Sequence, residues 1–123
     1  MTDERSTGSP AARALLIVNA RVRTGDSGRP WADAVLIGEG RIEAVGTSAE
    51  LRKRRLRDVS VLDAKGRTLL PSVAGGRLAL GEPASLVILA QSPGDAEGPF
   101  PAADVILELV DGRIVHDRDS LAG

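Results

Sequence analysis

A chain of 123 residues has room for one domain and is too short for two ordinary ones. Its hydrophobic fraction of 42% is globular rather than disordered, and 16 Lys and Arg against 17 Asp and Glu leave a net charge of −1, which demands no polyanionic partner. Cys and Tyr are absent and Trp31 and Phe100 are the sole aromatic residues, which excludes disulfides, thiolate catalysis and Cys-ligated zinc and leaves almost nothing for nucleic-acid bases to stack on.

Residues 1–13 mix Ser, Thr, Gly, Pro and charges without periodicity and read as a disordered tail. They lack the apolar stretch of a secretory signal, and no apolar run in the chain approaches the roughly 20 residues of a membrane span. A cytoplasmic protein is expected. Residues 15–22 predict one strand, apolar on both faces at first and alternating later. Residues 24–30 are a Gly, Asp, Ser and Pro loop.

Two short apolar runs, 34–37 and 41–45, flank Gly38-Glu39-Gly40 and predict a β-hairpin. Thr47-Ser48-Ala49-Glu50 has the spacing of a capping box, and a short helix should follow to about residue 55. Residues 59–63 and 68–70 around Ala64-Lys65-Gly66-Arg67 predict a second hairpin. Residues 85–89 predict a buried strand, and 91–104 a long surface loop. Residues 105–110 and 113–116, joined by Asp111-Gly112, form the clearest hairpin pattern, because Asp-Gly supplies the positive φ angles of a type I′ turn.

Many short strands and one short helix predict a mainly β fold, a small β-sandwich. Residues 14–118 should form a single domain, with a tail at 119–123. The apolar pattern places Ile17, Val35, Ile37, Ile42, Val61, Leu69, Val87, Leu89, Ile106 and Ile114 inward. Trp31, directly after Pro30, is expected to plug the core.

Three phrases, in order, carry a resemblance to a known family. The first is Leu16-Ile17-Val18-Asn19-Ala20-Arg21-Val22. The second is Val35-Leu36-Ile37 with Gly40-Arg41-Ile42-Glu43-Ala44-Val45-Gly46, followed by Val61-Leu62-Asp63-Ala64-Lys65-Gly66-Arg67-Thr68-Leu69-Leu70-Pro71. The third is Gly81-Glu82-Pro83-Ala84-Ser85-Leu86-Val87-Ile88-Leu89 with Val110-Asp111-Gly112-Arg113-Ile114-Val115. This sequence resembles the metal-dependent amidohydrolases, the cyclic imidase and urease-like group. The resemblance implies a composite β-sandwich made from the two ends of a longer fold, with a catalytic (β/α)₈ barrel of about 250 residues inserted between them. Here the first part is 14–71, the second is 81–117, and residues 72–80 bridge them with Gly75-Gly76 as a flexible joint.

The resemblance also implies metal ions held by a His-x-His pair just after the Leu-Pro phrase, with further His and Asp ligands, and in some members a carboxylated Lys, in the barrel. By counting, the two His positions fall on Arg77 and Ala79. Ala has no ligand atom and Arg stays cationic. No catalytic, cofactor-binding or metal-ligating residue and no cofactor is assigned.

Other features have plain readings. His116, the sole histidine, could bind a metal weakly with Asp117 and Asp119, but is better read as a surface residue near a strand end. Arg52-Lys53-Arg54-Arg55-Leu56-Arg57 could touch nucleic acid, but fits a solvated helix face. Gly38-Glu39-Gly40 lacks the spacing of a dinucleotide fingerprint, no nucleophile elbow occurs, and Glu108 and Asp111 are explained by solvation.

The expected function is therefore non-catalytic: a sandwich that self-associates, as a homodimer through the face a barrel would cover, or binds a protein partner, with neither nucleic acid nor membrane involved. The alternative is an accessory subunit docked on a separate barrel-bearing hydrolase of non-peptide carbon–nitrogen bonds.

Overall fold

The structure is a computed structural model that describes residues 14–53, 59–72, 76–94 and 100–118. Its strands are β1 Ala14–Val18, β2 Arg21–Arg23, β3 Trp31–Ala32, β4 Ala34–Gly38, β5 Arg41–Gly46, β6 Val59–Asp63, β7 Thr68–Pro71, β8 Leu86–Leu89, β9 Val105–Val110 and β10 Arg113–Asp117. The helix α1 is Ser48–Lys53, and a 3-10 turn at Ala102–Asp104 precedes β9. The expected tails 1–13 and 119–123, Gly75, and the end of the basic run lie outside the described residues.

The strands form two mixed sheets, one of four strands in the order β5-β4-β1-β6 and one of six in the order β10-β9-β8-β7-β2-β3. The expected mainly β sandwich is what forms. Ile17, Val35, Ile37, Ile42 and Leu62 from the smaller sheet meet Val22, Leu69, Leu86, Ile88, Leu107 and Leu109 from the larger in one core. On the outer face of the small sheet, Leu51 of α1 closes over Leu16, Val18, Ala34, Leu36 and Ala44. On the outer face of the large sheet, Phe100 packs on Leu70, Val87, Leu89 and Val105.

The local signals at the turns and at the helix start behave as expected. Glu39 and Gly40 have φ of 51° and 80°, and Asp111 and Gly112 have 51° and 81°, the mirror-image turn that suits the twist of a hairpin. The Thr47 Oγ1 accepts the Glu50 N–H at 3.0 Å, and the Thr47 N–H donates to Glu50 Oε1 at 3.2 Å. These reciprocal bonds are the capping box that starts α1.

Two expectations about strands fail for one reason. Residues 15–22 are not one strand: the chain breaks at Asn19, which has φ of 56°, and passes from β1 in the small sheet to β2 in the large one. Asn is among the few side-chain-bearing residues that enter this left-handed region readily. Residues 59–63 and 68–70 are not a hairpin either. Lys65 and Gly66, at φ of 55° and 82°, carry the chain from β6 to β7, again from small sheet to large.

The two crossings run side by side. The Ala64 N–H donates to the Val18 carbonyl at 2.9 Å, the Gly66 N–H to the Asn19 carbonyl at 2.7 Å, and the Arg21 N–H to the Arg67 carbonyl at 2.9 Å. Thus β6 pairs parallel with β1, and β7 parallel with β2.

Three side chains expected inside are exposed: Trp31 at 54%, Val61 at 43% and Ile114 at 45%. They lie on β3, β6 and β10, the outermost strands of their sheets, where a side chain has a neighbour on one flank only. Val87 and Leu89 are buried, but beneath Phe100 on the outer face of the large sheet.

Candidate functional site

Ser72 and residues 76–85 lie along one side of the sandwich and bring distant residues together. Ser72 stands where β7 ends. The Ser72 N–H donates to the Ser85 carbonyl at 3.2 Å, prolonging the β7–β8 seam of Leu69–Ile88, Leu70–Val87 and Pro71–Leu86. That seam joins the two parts of the chain in one sheet. The chain returns at Gly76, beside the loop that follows β2: the Leu78 N–H donates to the Thr24 carbonyl at 2.7 Å, and a Cβ on Gly25 would collide with the Gly76 carbonyl.

Because β2 and β7 are parallel neighbours, Ser72 and Gly76 both stand at the carboxyl end of that strand pair. The loop receiving Gly76 is held by buried Thr24, whose hydroxyl accepts the Asp26 N–H at 3.0 Å and donates to the Arg29 carbonyl. Leu78 then drops fully into the core.

From Ala79 the segment lies along the outer edge of β5. The Gly81 N–H donates to the Ile42 carbonyl and the Ile42 N–H to the Glu82 carbonyl, both at 2.9 Å, and Arg41 bridges to Pro83. The Ala84 N–H donates to the Gly40 carbonyl, and the Gly112 N–H to the Ala84 carbonyl, both at 2.9 Å. The Asp111 N–H reaches Ser85 Oγ at 3.1 Å. A three-way junction results: the β4–β5 turn, residues 81–85, and the β9–β10 turn.

Beside this junction is an open groove of about 500 Å³, lined by Glu39, Arg41, Ile42, Glu43, Leu80 and neighbouring glycines. Leu80 is 77% exposed in it. Arg41 Nη1 donates to the Gly81 carbonyl at 3.0 Å, fixing one wall. The groove offers two carboxylates, one guanidinium and an apolar side chain, which suits contact with a surface; it holds no nucleophile paired with a base.

The positions where the resemblance implies metal ligands do not fit a metal. Arg77 lies exposed with its Nη2 2.7 Å from Glu82 Oε2, a cation already paired, and Ala79 has nothing to offer. Among the described residues no three His, Cys, Asp or Glu side chains converge as a metal group.

The remaining candidates are dispersed. His116 is half-buried on β10, opposite Glu108, with its Nε2 3.0 Å from the Val105 carbonyl, while Asp119 lies outside the described residues. Arg52 and Lys53 are exposed on α1. No helix among the described residues is long and apolar enough to cross a membrane.

Two carboxyls are held below their ordinary range. The backbone and hydroxyl of Thr47 hold down Glu50, and the Lys65 N–H with the Asn19 side chain holds down Asp63. Both acts are structural, one starting α1 and the other locking the paired crossings.

No family model matches the chain. The N-substituted formamide deformylase of Arthrobacter pascens is 36% identical over 100 residues, which is 80% of this chain and 18% of that protein. The chain therefore spans less than a fifth of the relative it matches. Among solved structures, an uncharacterized metal-dependent hydrolase from Pyrococcus furiosus gives a TM-score of 0.43 at 24% identity, over 47% of this chain and 13% of that one. Enamidase, described as a new member of the amidohydrolase superfamily, gives 0.40 at 27% identity over 49% of this chain and 16% of that one. Molinate hydrolase gives 0.40 at 25% identity, over 50% of this chain and 13% of that one.

The deformylase relative overturns the expectation that the chain is not an enzyme: 36% identity over 80% of the chain points to a hydrolase. The missing ligands misled, because they describe residues 72–80 alone. The ordered phrases, the two sheets and this relative agree with the resemblance to the composite β-sandwich of the metal-dependent amidohydrolases, in a chain that matches only a small part of that relative.

Proposed function

We propose that the chain is the sandwich component of a hydrolase of carbon–nitrogen bonds other than peptide bonds, and that it acts by docking on a barrel-bearing polypeptide. The observation that carries this is the placement of Ser72 and Gly76 together at the carboxyl end of the parallel pair β2 and β7. An inserted domain leaves and returns at neighbouring points, and these are such points. The surface beside them, with Leu80 and the groove, is where a separate barrel would be seated.

In this arrangement the residues of the chain bind and orient. The β7–β8 seam and the junction at Gly40 and Gly112 keep the docking end rigid, and the groups that touch substrate come from the barrel side of the assembly. N-substituted formamides are the first substrates to try, since the relative is named for them. The test is native purification through a tag on this chain, followed by an assay for formate released from an N-substituted formamide. Formate release that travels with the chain at fixed stoichiometry supports the reading. Loss of all activity from the chain at every purification step counts against it.

A further inference from the structure

We propose that the free edge of β6 is a self-pairing edge, at which two copies of the chain join their small sheets antiparallel about a two-fold axis through Val61. A sheet edge presents unpaired N–H and C=O groups and is usually blunted. Three of the four edges here are. Residues 81–83 cover β5, β10 carries a register shift between Ile114 and His116, and β3 has two residues. Among the described residues, the edge at β6 has none of these devices. Its register with β1 runs unbroken from Ala14–Val59 to Val18–Asp63, and it holds neither Lys nor Pro.

The parity of the strand decides which groups are free. The Ala64 N–H donates to the Val18 carbonyl, so the even-numbered residues of this segment face β1. Alternation then turns the N–H and C=O of Val59, Val61 and Asp63 outward, where no described residue bonds them. These positions are self-complementary. With Val61 opposite its counterpart, Val59 stands opposite Asp63 of the second copy, and each outward residue exchanges both backbone bonds with its opposite number.

The side chains agree with that register. Leu62 points into the core, so Val59 and Val61 lie on the outer face. There α1 packs over β1, β4 and β5, and Val61 is left 43% exposed beside the cluster that Val59 joins. Pairing would cover Val61 with its counterpart. Asp63 is the sole charge on the strand and meets Val59, so no like charges are opposed. So short an edge buries less than the roughly 1,600 Å² of a standard interface, so the dimer is weak and reversible.

Sedimentation equilibrium on the full chain from about 10 μM to about 1 mM tests this, since oligomerisation follows mass action. The mass should rise towards that of a dimer with concentration. Val61→Lys should weaken association at least about tenfold with an unchanged far-UV circular dichroism spectrum, and Val115→Lys on β10 should associate like the wild type. In the unmodified protein, amide exchange at Val61 should slow at the highest concentration and exchange at Ile114 should not. A wild-type chain that stays monomeric throughout, or a dimer that survives Val61→Lys with unchanged exchange at Val61, overturns the proposal. The test does not involve a barrel-bearing partner, so its result is separate from that of the proposed function.

Discussion

A Cβ placed on Gly112 would stand 2.6 Å from the Cα of Gly40, so the turns of two hairpins more than 70 residues apart touch backbone to backbone. Gly112 has φ of 81° and Gly40 has φ of 80°. Each turn needs glycine for its own shape, and Gly112 needs it again for the contact. The contact ties the first part of the chain to the second at the end opposite the β1–β2 crossing.

The two demands can be separated. Gly66 has φ of 82° but nothing within 4 Å of an added Cβ. Gly66→Ala therefore carries the left-handed backbone cost alone, about 1–2 kcal/mol. Gly112→Ala adds an overpacked contact worth about 1–3 kcal/mol. Urea midpoints should fall for both and further for Gly112→Ala. Equal losses would show that the turns do not press on each other.

Leu78 and Leu80 make a second pair, two residues apart with opposite fates: 1% against 77% exposed. Leu78→Ala should cost about 2–4 kcal/mol through lost burial and the cavity left behind. Leu80→Ala should fall within about 0.5 kcal/mol of the parent, as exposed substitutions do. Leu80→Ala should instead weaken co-purification with a barrel-bearing polypeptide, because Leu80 lines the proposed docking end.

The capping box should also be measurable. Thr47→Ala removes the acceptor for the Glu50 N–H and should lower stability by about 0.5–2 kcal/mol. Thermal melts at neutral pH read this directly.

Acid should weaken the fold through Glu50 and Asp63. Both carboxyls are depressed when folded, so they bind fewer protons than in the unfolded chain. Their contribution is complete above their ordinary values of 4.5 and 3.8 and is lost as pH falls through the lower folded values. Melting temperature should be flat above about pH 5 and fall below it. Thr47→Ala should flatten a small part of that fall, because it removes the hydroxyl bond to Glu50 and leaves the stronger backbone N–H bond in place.

The hairpins at Glu39-Gly40 and Asp111-Gly112 and the start of α1 were legible because their signals are local: turn residues and a capping pair act on their own backbone. The crossings were not. Asn19-Ala20 carries no strong turn signal, and Lys65-Gly66 looks the same whether its flanking strands pair with each other or divide between two sheets. What separates those outcomes is the parallel pairing to β1 and β2, which is tertiary. Trp31, Val61 and Ile114 were misplaced for a related reason, since alternation shows which face a residue takes but not which strand ends a sheet. The groove was hidden because residues 38–43 and 80–81 meet only after the bridge has folded along β5. The expectation of no enzyme came from reading missing ligands at Arg77 and Ala79 as a statement about the whole protein, and the deformylase relative corrected it.

For the proposed docking of this sandwich on a barrel-bearing polypeptide, the decisive quantity is the mass of the natively purified assembly. Native mass spectrometry on protein tagged at this chain should give a complex whose excess mass accommodates a barrel of about 250 residues or more. A preparation that contains this chain alone, as monomer or as homodimer, would contradict it.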